Sequence, residues 1–307
     1  MGGFVFKESN VQSIKRENIQ PTINQFIKEF IDIFPNTNNW FNPLVTLGSV
    51  GKKDISGDID LGIDEKYLDN VLYYDLDKDE VNSLFEKFKK RARTATDYQL
   101  TKRAIIVSIA NRINNSSSSI NVDIKGSGAG ALYCEFPQYD IQNNQLGYNV
   151  QIDLNFGNIE WLKFAYFSDS YTGNIKGLHR TQLMLHMFAY KGYVFSHNYG
   201  VKNRETQEIV ANNPQQAIEL LNKLYDIDIT ENILLNYNTL QEYLHNHLSI
   251  EELNGIYDIY IKTLDSTRCD IPEDLQEYWI ENQNRLGLKG KFLPENSKLI
   301  SYQTEKE

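Results

Sequence analysis

The stretch Leu47-Gly-Ser-Val-Gly-Lys-Lys-Asp-Ile-Ser-Gly-Asp-Ile-Asp-Leu61 decides how the rest of the chain is read. It begins where the short apolar run Leu44 to Leu47 breaks at Gly48-Ser49. It ends in Asp58-Ile-Asp-Leu-Gly-Ile63, which alternates with the two-residue period of a half-buried strand. The spacing predicts a strand, a turn and a returning strand. In the returning strand residues i and i+2 share a face, so Asp58 and Asp60 project together while Ile59 and Leu61 point to a core. Two carboxylates so placed raise each other's pKa unless a cation neutralises them, and their hard oxygens suit Mg2+ held jointly with substrate phosphates. The acidic pair alone carries little, because Asp75-Leu-Asp77, Asp77-Lys-Asp79 and Asp226-Ile-Asp228 repeat the spacing in solvated settings. The turn supplies what the pair lacks. A bare Gly48 lets backbone approach a phosphate, amide N–H groups and the Ser49 hydroxyl can donate to it, and Lys52 and Lys53 add charge.

Outward from this unit, Ile23, Phe26, Ile27, Phe30, Ile31 and Phe34 recur at helical spacing, with Pro21 expected at the first helical position and Pro35 after the last. Helices are expected from about Glu80 to Arg93 and from Asp97 to Ile113, followed by a polar loop, Asn114 to Ser119. Ile120 to Lys125, Ala131 to Phe136 and Tyr148 to Phe156 read as strands. From Ile159 the pattern turns helical: Leu178 to Tyr190, Pro214 to Tyr225, an amphipathic run behind a Ser249/Glu252 capping box, and Pro272 to Arg285. The last dozen residues are polar and read as a loosely held tail.

The quoted stretch resembles the signature of the DNA polymerase β-like nucleotidyltransferase superfamily, with the strong match confined to Leu44 to Asp64. The resemblance implies an α+β fold, classed also as α/β. Its catalytic domain, about 1–165, has a small mixed sheet, and a helical insert, about 80–113, makes it longer than compact members. A mainly helical nucleotide- and acceptor-binding domain, about 166–295, follows and closes over the nucleotide, with the active site in the cleft, and 296–307 form a polar tail. It also implies a third carboxylate on a neighbouring strand, either Asp153 in Val-Gln-Ile-Asp-Leu-Asn-Phe156 or its rival Asp123 in Ile-Asn-Val-Asp-Ile-Lys125. Asp153 is favoured because Ile152, Leu154 and Phe156 alternate with it just before the sequence turns helical. Two Mg2+ ions, or Mn2+ in their place, would lie on Asp58, Asp60 and Asp153, with Gly48, Ser49, Lys52 and Lys53 on the nucleotide. From the helical half, Lys176, Arg180 and Lys191 are candidates for the triphosphate and Tyr190 for the base. The reaction implied is transfer of a nucleoside monophosphate from an NTP, ATP or CTP, to a hydroxyl acceptor. Nucleotidylation of a protein or small molecule is an alternative, and a fold used for binding without turnover is another.

The sequence has 307 residues and a formal net charge of −10, which excludes a protein that coats nucleic acid with its whole surface. Any polyanion must meet a local patch. Between positions 84 and 103 seven basic residues, Lys87, Lys89, Lys90, Arg91, Arg93, Lys102 and Arg103, face two acidic ones, a local balance of +5 that leaves −15 for the rest. This island is the candidate grip for an RNA end such as that of tRNA, against the plainer reading of a solvated helix face. Gly126-Ser-Gly-Ala-Gly130 lies between two strands and not before a helix, so a hairpin or substrate-side loop is the better reading than a phosphate cradle. His186, on an apolar helix, reads as a core histidine, and His245 and His247 point apart. Two cysteines, Cys134 and Cys269, form neither a disulfide framework nor a zinc pair. With no signal peptide and no membrane-length apolar run, a soluble cytoplasmic protein is expected.

Overall fold

In the computed structural model, which describes residues 5–6, 9–92, 94–168 and 177–266, the acidic strand forms one edge of a mixed four-stranded sheet. The chain enters through β1 (Ile14–Lys15) and α1 (Arg16–Ile33), and β2 (Ile55–Ser56) pairs antiparallel with β1. β3 (Ile59–Asp64) carries the acidic motif, and α2 (Leu68–Tyr74), α3 (Lys78–Lys89) and α4 (Asp97–Asn114) follow. The sheet is completed by β4 (Asn121–Val122), β5 (Ala131–Tyr139) and β6 (Gln145–Gly157), in the order β3-β6-β5-β4. β3 runs parallel to β6, and the other pairings are antiparallel.

α1 starts at Arg16 and not at Pro21, which lies inside it. The apolar stripe explains the earlier start: Ile19 is buried one turn before Ile23, Phe26 and Phe30. The backbone N–H of Arg16 is already satisfied by the Asp54 carbonyl at 2.8 Å. Pro21 in the second turn costs one intrahelical donor. α4 begins at a capping box, with the Thr96 hydroxyl accepting from the Gln99 amide and the Gln99 side chain accepting from the Thr96 amide.

One face of the sheet is apolar. Ile59, Leu61, Ile152, Leu154, Phe156, Leu132, Cys134 and Phe136 are all fully buried there, in one cluster with residues of α1 and α4. Phe26 meets Phe136 edge to face at 5.4 Å between ring centroids, and Trp40 meets Phe156 in the same way. Because side chains alternate along each strand, the residues between these belong to the opposite face. That face holds Asp60, Tyr133, Glu135, Gln151, Asp153 and Asn155.

By compactness the chain divides into two units, Met1–Ser170 with His197–Tyr199, and Tyr171–Ser196 with Gly200–Glu307. α5 (Ile159–Ala165) belongs to the first, and α6 (Gly177–Tyr190) opens the described part of the second. The second unit is mainly helical, and it also carries an antiparallel three-stranded sheet that the sequence reading did not include, β7 (Tyr193–Ser196), β8 (Gly200–Asn203) and β9 (Ile209–Ala211). Strands of three or four residues offer too few alternations for a period to show. α7 (Pro214–Tyr225), α8 (Glu231–Leu234), α9 (Tyr237–His247) and α10 (Ile250–Ser266) follow. The Ser249/Glu252 capping box forms as expected, whereas the helix expected at 272–285 and the tail lie outside the described residues. Among the described residues no helix is long and apolar enough to cross a membrane.

Candidate functional site

The parallel pairing of β3 with β6 sets Asp60 directly opposite Asp153. Neighbouring strands lie about 4.8 Å apart, so the two carboxylates rise from adjacent backbones on the polar face. Asp58 precedes the strand by one residue and is half-buried. The predicted strand and turn ahead of β3 form a narrow antiparallel approach: Leu47 N–H donates to the Asp60 carbonyl at 2.9 Å, and Gly62 N–H to the Val45 carbonyl at 2.9 Å. Gly48 then turns with φ +60°, and a Cβ added there would stand 3.2 Å from Asp60 Oδ2. Glycine thus brings bare backbone against the carboxylate in a conformation other residues rarely take.

The charges in this row oppose one another. Asp60 is pushed up to about 7 from the ordinary 3.8, first by burial and then by Asp58, with a hydrogen bond from Asn155 pulling the other way. Asp153, only 7% exposed, is also held well above the carboxylate range by burial and by Asp60. Gln151 Nε2 donates to both its oxygens, at 2.9 and 3.1 Å. Asn155 Nδ2 reaches Asp60 Oδ1 at 3.4 Å, and its own oxygen accepts from the Tyr166 hydroxyl at 2.8 Å. Neutral amides and a phenol thus orient Asp60 and Asp153, and carboxylates crowded in this way favour a bound cation. Among the described residues no three His, Cys, Asp or Glu side chains form a ready-made cage for a metal ion. What the row offers is an open set of hard oxygen donors, which fits Mg2+ that keeps water and phosphate ligands.

The loop after Gly48 is pinned from α1. Arg16 Nη2 donates to the Lys52 carbonyl at 2.9 Å and Nε to the Lys53 carbonyl at 3.2 Å. Val50 anchors the loop in the core, and Ser49 is half-buried beside Gly48. Lys52 Nζ donates to the Ser168 carbonyl at 2.6 Å, so its charge is already engaged, while Lys53 is half-buried on the same loop.

Asp123 is not brought to this row. Its Oδ1 accepts from Lys125 N–H and its Oδ2 from Gly126 N–H, closing the turn that starts the glycine segment. Ser127 N–H goes to the Asp123 carbonyl and Gly128 N–H to that of Ala131, so the amides of 125–128 are all used internally. None of these four remains to cradle a phosphate. Gly130 (φ +97°) instead makes room for Asn198, whose Cβ would lie 2.7 Å from an added Cβ, and Asn198 Nδ2 donates to the Gly130 carbonyl at 2.7 Å.

The basic island divides. Lys87, Lys89, Lys90 and Arg91 are exposed around the end of α3, with Lys89 3.3 Å from Asp97, and Arg103 is exposed with its guanidinium over the Phe88 ring. Lys102 is corrected out of the island: 2% exposed, it pairs with Glu65 at 2.6 Å and donates to the Phe156 carbonyl at 2.7 Å. Arg93 lies outside the described residues.

In the second unit the nucleotide candidates are occupied by structure. Arg180 is 1% exposed and donates to the Leu234 carbonyl and to Thr181 Oγ1. Lys191 pairs with Glu252 at 2.8 Å and lies over the Tyr225 ring. Tyr190 packs so close to Gly255 that a Cβ there would meet its ring at 2.1 Å. Lys176 lies outside the described residues. His186 is a buried core histidine, stacked on Tyr260 at 4.8 Å with Nε2 3.0 Å from Thr263 Oγ1.

The residues that sequence reasoning passed over are Gln151, Asn155 and Tyr166. Gln151 and Asn155 stand two places either side of Asp153, so the alternation that marked Ile152 and Leu154 as core also placed them with the acid. Tyr166 had no such signal, since only the turn after α5 returns it to Asn155. The sequence matches no protein-family model and no curated protein.

Proposed function

We propose that the chain is an Mg2+-dependent nucleotidyltransferase that moves a nucleoside monophosphate from ATP or CTP to a hydroxyl acceptor, the 3′ end of an RNA. The observation that carries this reading is the in-register pair Asp60 and Asp153, with the Gly48 turn against the Asp60 carboxylate. Asp58 and Asp60 are the ligands for the ion on the triphosphate, and both together with Asp153 for the ion at the acceptor. Bound Mg2+ supplies Lewis acidity at the phosphates and lowers the pKa of the acceptor hydroxyl. Gly48 presents bare backbone and Ser49 a hydroxyl to the phosphate oxygens. Gln151 and Asn155 keep Asp153 and Asp60 in fixed rotamers for this task. The acceptor hydroxyl gives its proton to Asp153 or to water, its oxygen forms a bond to the α-phosphorus, the bond from that phosphorus to the bridging oxygen of the β-phosphate breaks, and pyrophosphate leaves. The exposed cluster Lys87, Lys89, Lys90 and Arg91 supports RNA as the acceptor, as a local basic patch on an acidic protein.

Incubation with α-phosphate-labelled NTPs, Mg2+ and either total tRNA or a protein lysate tests the reading by where label lands. Label on RNA that is lost with Lys89→Glu/Arg91→Glu is expected. Label on protein overturns the acceptor, and failure to release pyrophosphate from any NTP with any acceptor overturns the activity.

A further inference from the structure

A second acidic feature lies on the helical side of the sheet, opposite the face that bears Asp60 and Asp153. A cavity of about 930 Å3 opens where the last turns of α1 and α4 meet the start of α3 and the serine loop 116–119. Its lining carries five carboxylates, Glu29, Asp32, Asp75, Asp77 and Glu80, against the single guanidinium of Arg112. Arg112 neutralises none of them: it donates to the backbone carbonyls of Asp75 and Ile33 and lies over the Phe34 ring. The acids that have partners have neutral ones. Glu80 accepts from Ser108 Oγ and Asn111 Nδ2, Glu29 from Ser119 N–H, and Asp77 caps α3.

Asp75 differs. It is 7% exposed, Asn36 Nδ2 donates to its Oδ1 at 3.1 Å, and its Oδ2 is buried with no hydrogen-bond partner. Protein carboxylates removed from water ordinarily find a donor for each oxygen, because an unmet one is costly. We propose that this cavity is a binding site for an organic oligoamine, whose ammonium groups meet Asp75, Asp32 and Glu29. The arrangement spreads its charge, since the carboxylates come from α1, from the segment between α2 and α3 and from α3 itself. It selects against a lone ammonium, since the charges are distributed over a cavity several ångströms across. A flexible chain carrying two or three separated ammonium groups, each a donor of several N–H bonds, matches that distribution.

Calorimetric titration of the full chain with spermidine in moderate salt tests this, with Asp75→Asn, Asp32→Asn and Asp60→Asn alongside. Saturable binding is expected, weakened about tenfold by Asp75→Asn, the loss of one charge-assisted hydrogen bond, several-fold by Asp32→Asn, and unchanged by Asp60→Asn. Asp32 is exposed, so its variant remains informative if Asp75→Asn fails to fold by circular dichroism. Equal affinity in the wild type and both cavity variants overturns the proposal. So does loss confined to Asp60→Asn, which moves the ligand to the other face, or full displacement by equimolar Mg2+ or Ca2+, which makes the cavity a metal site.

Discussion

Asp60 and Asp153 stand side by side on parallel strands with like charges, oriented by the neutral amides of Asn155 and Gln151. In the second unit Lys191 is instead matched by the opposite charge of Glu252, and Arg180 is held by the Leu234 carbonyl. All four were candidate site residues by type and position. Burial makes an ionised group expensive unless a partner compensates it, so a fold that crowds two buried acids at neighbouring positions is tolerating a cost that a bound cation would reduce. Lys191 carries no such cost, and its pairing with Glu252 accounts for its presence; Arg180 is bound into the core by neutral acceptors, and burial lowers its pKa to about 10 against the opposing charge of Glu231.

The contrast is most directly broken by turnover. Asp60→Asn and Asp153→Asn are each expected to lower Mg2+-dependent pyrophosphate release by about 10²-fold or more, as removal of a group that stabilises transition-state charge does. Retention of near-normal release in either variant would mean that the row is not the reacting centre. A smaller effect sharpens the electrostatic half of the contrast. With Asp60 raised from 3.8 to about 7, the folded protein holds a proton more tightly than the unfolded chain across that window. Stability without divalent ions should therefore fall as pH rises from about 4 to 7 and level off above. Denaturant titrations at pH 5 and pH 7.5 should show wild type losing on the order of 1–2 kcal/mol more than Asp60→Asn, less than the whole shift because water still screens a half-buried group. An equal loss in both proteins would place the strain elsewhere. The smallest effect belongs to the matched side. Lys191→Met should cost less than about 1 kcal/mol in thermal or chemical denaturation, the usual worth of a partly exposed ion pair, and leave turnover unchanged. A large drop in turnover at unchanged stability would return Lys191 to the nucleotide site.

Legibility followed the length and regularity of each pattern. The strand at Asp58 to Ile63, the strand around Asp153 and the helices at 78–89, 97–114 and 214–225 each repeat their period often enough to be read. The β7–β9 sheet does not, and Pro21 misled because proline marks a helix start only when no apolar stripe extends ahead of it. Within the site, the acids and the Gly48-Ser49 turn were visible because their chemistry is written in consecutive residues. Composition does not distinguish Asp123 from Asp153, since both lie in alternating runs.

What the sequence by itself determined about this protein is therefore local: which face each strand residue takes, where the glycine turn lies relative to the acidic pair, and that basic charge concentrates near 84–103. Tertiary structure alone decided which of those residues meet. Strand register set Asp153 beside Asp60 while a two-residue turn consumed Asp123, and packing withdrew Lys102 into a pair with Glu65. Packing also left Asp75 Oδ2 buried without a donor. Alternation and propensity depend on neighbours along the chain, whereas the satisfaction of a buried charge depends on groups tens of residues away that only the fold brings within hydrogen-bond distance.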